Sequence, residues 1–346
     1  MKAVAHTRFG DSSVLQVVDL PMPTPGAGEI RVKVVVSGVN PTDWKGRAGG
    51  RSVTSESGQA RVPNQDGSGV VDSIGPEVSG FSVGDRVWVH LAAHDRPTGT
   101  AQEYTVVPQE RVVHLPDVAS FDIGAALGVP AMTAHRALTV CELGPGRLGP
   151  GALQGQTILV AGGAGAVGHA AIQLARWAGA EVITTVSSAQ KATLAAAAGA
   201  HHVINYREGD TAAAIRKVAP DGVDQIVEVA PGDNAELDSA VLANRGSIAV
   251  YATEGEPLSL DIWRHLTVNA RYQFILLYTV GQAALTAAAE DIVNALNDGA
   301  LPVGEQAGLP LTRFSLKQTP AAHDAVQSGT TGKVLIDVSP HELAAE

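Results

Sequence analysis

The sequence predicts an α/β protein in which a doubly wound parallel sheet is joined to a second, β-rich domain. Three observations predict it. A glycine cluster, Ala161-Gly162-Gly163-Ala164-Gly165-Ala166-Val167-Gly168, directly follows the apolar run Thr157-Ile158-Leu159-Val160. From about residue 155, strand-like and helix-like segments alternate, which is the rhythm of a parallel sheet with helices on both faces. Before about residue 128 the chain is strand-like and punctuated by turn residues.

Taken in order, the first strands are read at 30–36, 69–75 and 85–89, separated by Pro25-Gly26, Gly75-Pro76 and Val83-Gly84-Asp85. They imply a compact, barrel-like β domain. The run at 157–161 is β-branched and uncharged, as a strand buried on both faces should be. Residues 167–178 place Val167, Ala171, Leu174 and Ala178 on one face of a helix. Further strands are expected at 181–186, 202–204, 224–229 and 246–251, with an alanine-rich helix at 189–198 closed by Gly199. A long helix near 282–297 and a last strand at 333–338 follow, and the tail 339–346 reads as a frayed end. The expected domains are 1–127, 128–272 and 273–346, the last returning to the first.

Composition narrows the function. The chain has 346 residues, 45% of them hydrophobic and 17% charged, and a net charge of −11. That suits a globular protein with a real core. It argues against nucleic-acid or anionic-membrane partners, which call for clustered Lys and Arg. The single cysteine, Cys141, excludes an intrachain disulfide and a multi-cysteine zinc site, and points to a reducing, cytoplasmic setting. The first residues lack the apolar core of a signal peptide. The eleven histidines show no HExxH spacing, and no GxSxG elbow appears.

Chemistry concentrates at the glycine cluster. Gly163-x-Gly165-x-x-Gly168 falls on a strand-to-helix turn, where a dinucleotide needs it. One glycine makes the turn, one lets a pyrophosphate approach the backbone, and one lets helix pack on strand. The helix N-terminus then presents free N–H groups and a positive dipole end. The second strand ends at Val186-Ser187-Ser188, without the acid that commonly bonds the ribose of NAD. Two hydroxyls and Lys191 could hold a 2′-phosphate, which favours NADP(H); Ser187 and Ser188 could equally cap the next helix.

Several ordered stretches carry a family resemblance. They are Ser37-Gly38-Val39-Asn40-Pro41, the run 78–87, Gly128-Val129-Pro130-Ala131-Met132-Thr133, the glycine cluster, the run 199–208, and Gly329-Thr330-Thr331-Gly332-Lys333-Val334. Together they resemble the zinc-independent medium-chain dehydrogenases/reductases, specifically quinone oxidoreductases of ζ-crystallin type. The resemblance implies a GroES-like β-barrel domain interrupted by a Rossmann domain, NADPH as cofactor, a quinone or α,β-unsaturated carbonyl as small-molecule substrate, and a homodimer or homotetramer. It implies that Gly163, Gly165, Ala166, Val167 and Gly168 form the pyrophosphate turn. Ser187, Ser188, Lys191 and Tyr206 would meet the 2′-phosphate and adenosine, and Thr133, Phe274, Ile275 and Leu276 the nicotinamide. Gly332 and Lys333 would supply a closing contact. Asn40 would touch cofactor and acceptor, with Lys45 as the second catalytic candidate.

Zinc relatives use Cys, His and Cys as ligands. The resemblance puts Asn40, Gln65 and Val129 at those places, which implies no metal. Bland readings stand beside these. Asn40-Pro41 is also a standard helix start, and Lys45 can be a solvated side chain. An enoyl-thioester reductase and a non-catalytic NADPH-binding protein are the alternatives. Acceptor choice is expected to lie in 45–62 and 91–99.

Overall fold

The computed structural model describes residues 1–50, 58–253 and 255–339. The chain divides into two compact units, 1–129 with 311–346, and 130–310. The first begins with β1 (Lys2–Ala5), β2 (Gln16–Asp19), β3 (Glu29–Val39) and α1 (Pro41–Arg47). It continues with β4 (Asp66–Ile74), β5 (Arg86–Val89), β6 (Tyr104–Pro108), β7 (Val112–His114) and the start of α2 (Phe121–Leu138).

The second unit runs β8 (Thr157–Ala161), α3 (Ala166–Trp177), β9 (Glu181–Val186), α4 (Ala189–Ala197), β10 (His202–Asn205) and α5 (Thr211–Val218). Then come β11 (Val223–Glu228), α6 (Pro231–Val241), β12 (Leu242–Val250), α7 (Ile262–Thr267), β13 (Arg271–Phe274) and α8 (Gln282–Asn297). The chain closes in the first unit with β14 (Leu311–Ser315), α9 (Thr319–Gln327) and β15 (Lys333–Asp337).

In the first unit the long strand β3 organises the sheet, whose order is β14-β15-β3-β4-β5-β7. β6 pairs with the N-terminal half of β3 and β15 with its C-terminal half. One core lies among Ile30, Val32, Val71, Val87, Val89 and Val107. Another joins Val39 to Val334 and Ile336, so the last strand is held by packing as well as by its ladder.

In the second unit six parallel strands lie in the order β10-β9-β8-β11-β12-β13. Numbered within the unit this is 3-2-1-4-5-6, and the order reverses between β8 and β11. Crevices at such a reversal, beyond the carboxyl ends of the strands, are where open α/β sheets take ligands. Leu159, Ile183, Ile226 and Ile248 form the buried middle.

The strands expected at 224–229 and 246–251 run instead over 223–228 (β11) and 242–250 (β12). The return to the first unit falls at 310/311, not at 272/273. The reason is physical. β13 extends the parallel sheet by pairing with β12. α8 is tied to the same unit by Asp291, which accepts from His135 Nε2 at 2.8 Å and Leu148 N at 2.7 Å. The first boundary lies inside α2, between Val129 and Pro130, rather than at 127/128. Among the described residues no helix is long and apolar enough to cross a membrane. Residues 340–346 of the expected frayed tail, and 51–57 of the expected specificity stretch, lie outside the described residues.

Candidate active site

The glycine turn leaves the carboxyl end of β8 at the point of reversal. Gly162 makes the bend, with φ +70, a conformation that side chains resist. The sequence reading gave the bend to the GxGxxG itself; it falls one residue earlier. At Gly163 a Cβ would overlap Thr184 Oγ1 on β9 and come within 2.8 Å of Ile172 on α3. At Gly168 it would overlap the carbonyl of Gly162 and lie 2.9 Å from Gly163 Cα. These two glycines let helix and strands close on one another. Gly165 differs: it is exposed, it is the N-cap of α3, and its Cβ would meet only Gly162 O, at 3.4 Å. Ala166 and Val167 follow as the first helical residues, where N–H groups have no intrahelical acceptor. An open backbone face at a helix N-terminus fits an anionic pyrophosphate.

The ends of β9 and β10, next in the same sheet, carry further candidate residues. Ser188 caps α4, its hydroxyl accepting from Lys191 N at 3.3 Å. Ser187 and Lys191 are half-buried beside it. Tyr206 follows β10, bonds Val186 O through its own N–H at 3.0 Å, and exposes its ring. So Ser187, Ser188, Lys191 and Tyr206 gather at the ends of β9 and β10. Thr133 is buried on α2. Phe274 ends β13 with its side chain exposed, Ile275 is buried with its N–H on Val250 O at 2.8 Å, and Leu276 is exposed.

A carboxyl pair escaped the sequence reading. Glu228, at the end of β11, and Asp238, on α6, are buried, and burial pushes both above the usual carboxylate range. Asn234 and the Ala230 N–H donate to Glu228. Glu228 raises Asp238 further, while the hydrogen bond with Asp238 lowers Glu228, which favours a proton held on Asp238.

The first unit builds its site from side chains. Asn40 ends β3's run and precedes α1, with Pro41 at the first helical position. Asp43 accepts the Asn40 N–H at 2.7 Å and the Gln65 N–H at 3.0 Å. The Asn40 side chain donates through Nδ2 to Asp66 at 2.7 Å, and its Oδ1 accepts from Lys333 Nζ at 2.6 Å. Lysine can only donate and ionised aspartate can only accept, so these partners fix which way the amide faces. Lys333 Nζ also lies 3.9 Å from Asp66, and Asp66 accepts from Val129 N at 2.9 Å. Asn40, Asp66 and Lys333 are all at most 2% exposed.

Room for this cluster comes from two glycines. A Cβ on Gly38 would press on Lys333 Cε at 3.1 Å, and one on Gly128 would overlap the Asp66 carboxylate. Burial, with Asp66 nearby, pushes the Asp43 carboxyl up to about 8. Burial also raises Asp66 and lowers Lys333, while each charge opposes the other's shift.

The structure therefore joins Asn40 to Lys333, which the resemblance had assigned separately, and adds Asp66, which sequence reasoning passed over. Its only signal was an acid inside an otherwise uncharged strand start, Asp66-Gly67-Ser68-Gly69-Val70-Val71. Gly332 precedes β15 with φ +97. Lys45 is half-buried, with Nζ 5.7 Å from the Trp44 ring centroid. Of the three former ligand places, the Asn40 side chain and the Val129 N–H meet at Asp66, while Gln65 Oε1 accepts from Ala93 N at 3.1 Å. Among the described residues no three His, Cys, Asp or Glu side chains come together as a metal site.

Strand order and glycine turn define a dinucleotide-binding protein of the Rossmann class. Residues 166–294 match the family described as zinc-binding dehydrogenase, and 26–117 the alcohol dehydrogenase GroES-like domain. The chain is 31% identical over 265 residues to a quinone oxidoreductase of Mus musculus, covering 75% of this chain and 76% of that one. It is 28% identical over 342 residues to that of Lama guanicoe, covering 97% of each. The solved structure of Escherichia coli quinone oxidoreductase complexed with NADPH superposes with a TM-score of 0.80 at 25% identity, covering 97% of this chain and all of that one. The chain belongs to the medium-chain dehydrogenases/reductases, in the quinone oxidoreductase family, whose members are oxidoreductases that bind NAD(P).

Proposed function

We propose that this protein is an NADPH-dependent reductase of quinones or α,β-unsaturated carbonyls that works without zinc. The observation that carries the reading is the Asn40 amide held between Lys333 and Asp66. Lys333 donating to Oδ1 draws electron density from the amide and makes Nδ2–H a stronger donor. Nδ2 has two hydrogens. One serves Asp66; the other is offered to an acceptor oxygen as it gains charge. A rigid, buried amide costs no reorganisation when that charge appears.

NADPH, when bound, supplies the hydride. Gly165, Ala166 and Val167 would hold its pyrophosphate, and Ser187, Ser188, Lys191 and Tyr206, none of them a carboxylate, its 2′-phosphate end. Asn40, Gln65 and Val129 at the former ligand places are poor zinc donors, and an electrophilic acceptor needs no metal-bound alkoxide. Lys45 is the second cation proposed to face the oxygen. A homodimer or homotetramer in the cytoplasm completes the reading. Exposed Ile262, Trp263 and Leu266 on α7, near the open edge strand β13, support self-association.

The test is NADPH consumption against quinones, enones, alkenals and enoyl-CoAs, with and without chelator. Turnover of a quinone or enone that survives chelation, with no stoichiometric zinc by metal analysis, is expected. Lys191→Ala should weaken NADPH by ~1.5–3 kcal/mol and leave NADH nearly unchanged. Lys45→Met should lower kcat roughly 10- to 1000-fold. Turnover of enoyl-CoAs alone would favour the thioester reductase. NADPH binding without turnover of any acceptor would favour a binding protein. Robust oxidation of simple alcohols, with no reduction of any quinone or enone, would refute the reading.

A further inference from the structure

A cavity of about 90 Å³ lies in the first unit, beside the Asn40 cluster. By the same measure one water needs only roughly 10–15 Å³, so a small polar group fits. Asp43 and Gln65, which border it, connect it directly to Asn40 and Asp66 through the Asp43 hydrogen bonds. Its wall is basic in a chain of net charge −11: His6, Arg47, Arg61 and Arg96 all line it.

Arg47 is the telling residue. It is 2% exposed, and Nη2 donates to Gln327 at 3.1 Å. Its Nε and Nη1 are buried with no acceptor. Buried guanidinium nitrogens without acceptors are costly, and guanidinium is the side chain best matched to a carboxylate. Arg96 is engaged by Glu29 at 2.7 Å, whereas among the described residues neither Arg47 nor Arg61 has an ion pair. Asp11 and Asp324 temper Arg47 from a distance, but each is bonded by a serine, Ser13 and Ser12. Asp43, the acid on the wall, spends both oxygens on backbone N–H groups. The local field is strong enough that Arg61 and Arg47 add to burial in lowering His6.

We propose that this cavity binds a carboxylate carried by the acceptor, with Arg47 as its anchor and Arg61 as the second cation. The preferred substrate is then an acidic conjugated carbonyl whose reducible end reaches Asn40. This rests on the reductase reading above, and the test separates the two.

The probes are a matched pair, (E)-4-oxopent-2-enoate and (E)-pent-3-en-2-one, which share the enone and differ in the carboxylate. The measured quantity is the ratio of their kcat/KM values, since the acid is also the more electrophilic. Arg47→Met should lower that ratio at least 10-fold, mainly through KM of the acid, and Arg61→Met should lower it several-fold. Arg61 is half-buried, so its variant keeps the test open if Arg47→Met does not fold. The saturated acid 4-oxopentanoate should inhibit competitively against the enone and bind by calorimetry, more weakly to either variant. A ratio unchanged in both variants overturns the carboxylate site. Inhibition by inorganic phosphate but not by 4-oxopentanoate also overturns it. If neither probe is reduced, the reductase reading fails for this acceptor class, and calorimetry with 4-oxopentanoate alone decides the site.

Discussion

The two units build their sites from opposite materials. The second uses backbone: Gly162 bends, Gly163 and Gly168 remove side chains that would collide, and Gly165 leaves a helix end open. The first uses side chains: an amide, a carboxylate and an ammonium, each buried and each dependent on the others. A backbone site is made by leaving atoms out, so it carries little desolvation cost. A buried polar site carries a large one and is stable only while complete. Breaking one should therefore be felt chiefly in binding, and breaking the other chiefly in folding.

The largest effect should come from Asp66→Asn. It leaves Lys333 buried without a counter-charge and should cost about 3–5 kcal/mol, read by chemical denaturation. Adding Lys333→Met should recover part of that loss. A double variant no more stable than the single one would show that the two charges are not coupled.

Next comes Gly168→Ala, which forces a methyl against the Gly162 carbonyl. It should cost about 1–3 kcal/mol. Gly165→Ala, at the open position, should cost less than about 1 kcal/mol yet still weaken dinucleotide binding, measured by cofactor fluorescence. Equal thermal losses in both variants would erase the distinction between a packing glycine and an open one.

A pH-dependent effect follows acidification. His169, on α3, shares Nε2–H with Ala307 O at 2.8 Å, and burial lowers its pKa from 6.5 to about 4. The unfolded chain therefore takes up the proton first as pH falls. Wild type should lose stability from pH 6.5 down to about pH 4, at up to ~1.4 kcal/mol per pH unit from this group. His169→Gln keeps a donor without the titration, so its stability relative to wild type should rise across that window. Parallel pH curves would remove His169 as a cause. Ser188→Ala is expected to cost about 1 kcal/mol through the lost cap of α4, seen in thermal melts.

The same contrast explains what could be read from the chain before its structure. The glycine turn occupies seven consecutive residues, 162–168, flanked by an apolar strand and an amphipathic helix, so its meaning is local. The strand at 157–161 and the helix at 282–297 were legible for the same reason: each is set by its own pattern. The Asn40 cluster draws on positions 40, 66, 129 and 333. No window of sequence contains it, and Asn40 by itself reads equally well as a helix cap. Resemblance supplied Asn40 and Lys333 but not the bond between them, and Asp66 carried no pattern of its own. The extent of the second unit was missed because β13 is a four-residue strand whose place is decided by β12, not by its own composition.

The pairing of β15 with β3 also fixes an order of events during synthesis. β15 lies against Val36–Val39 from nearly 300 residues downstream. While the ribosome is still making residues 130–310, the amide of Asn40 and the carboxylate of Asp66 have no lysine to meet. The second unit, continuous in sequence, can complete its sheet first. The first waits for Lys333, so its polar centre is assembled only as the final strand emerges, and a nascent chain halted before residue 333 would carry the parallel sheet of the second unit without the Asn40–Asp66–Lys333 cluster.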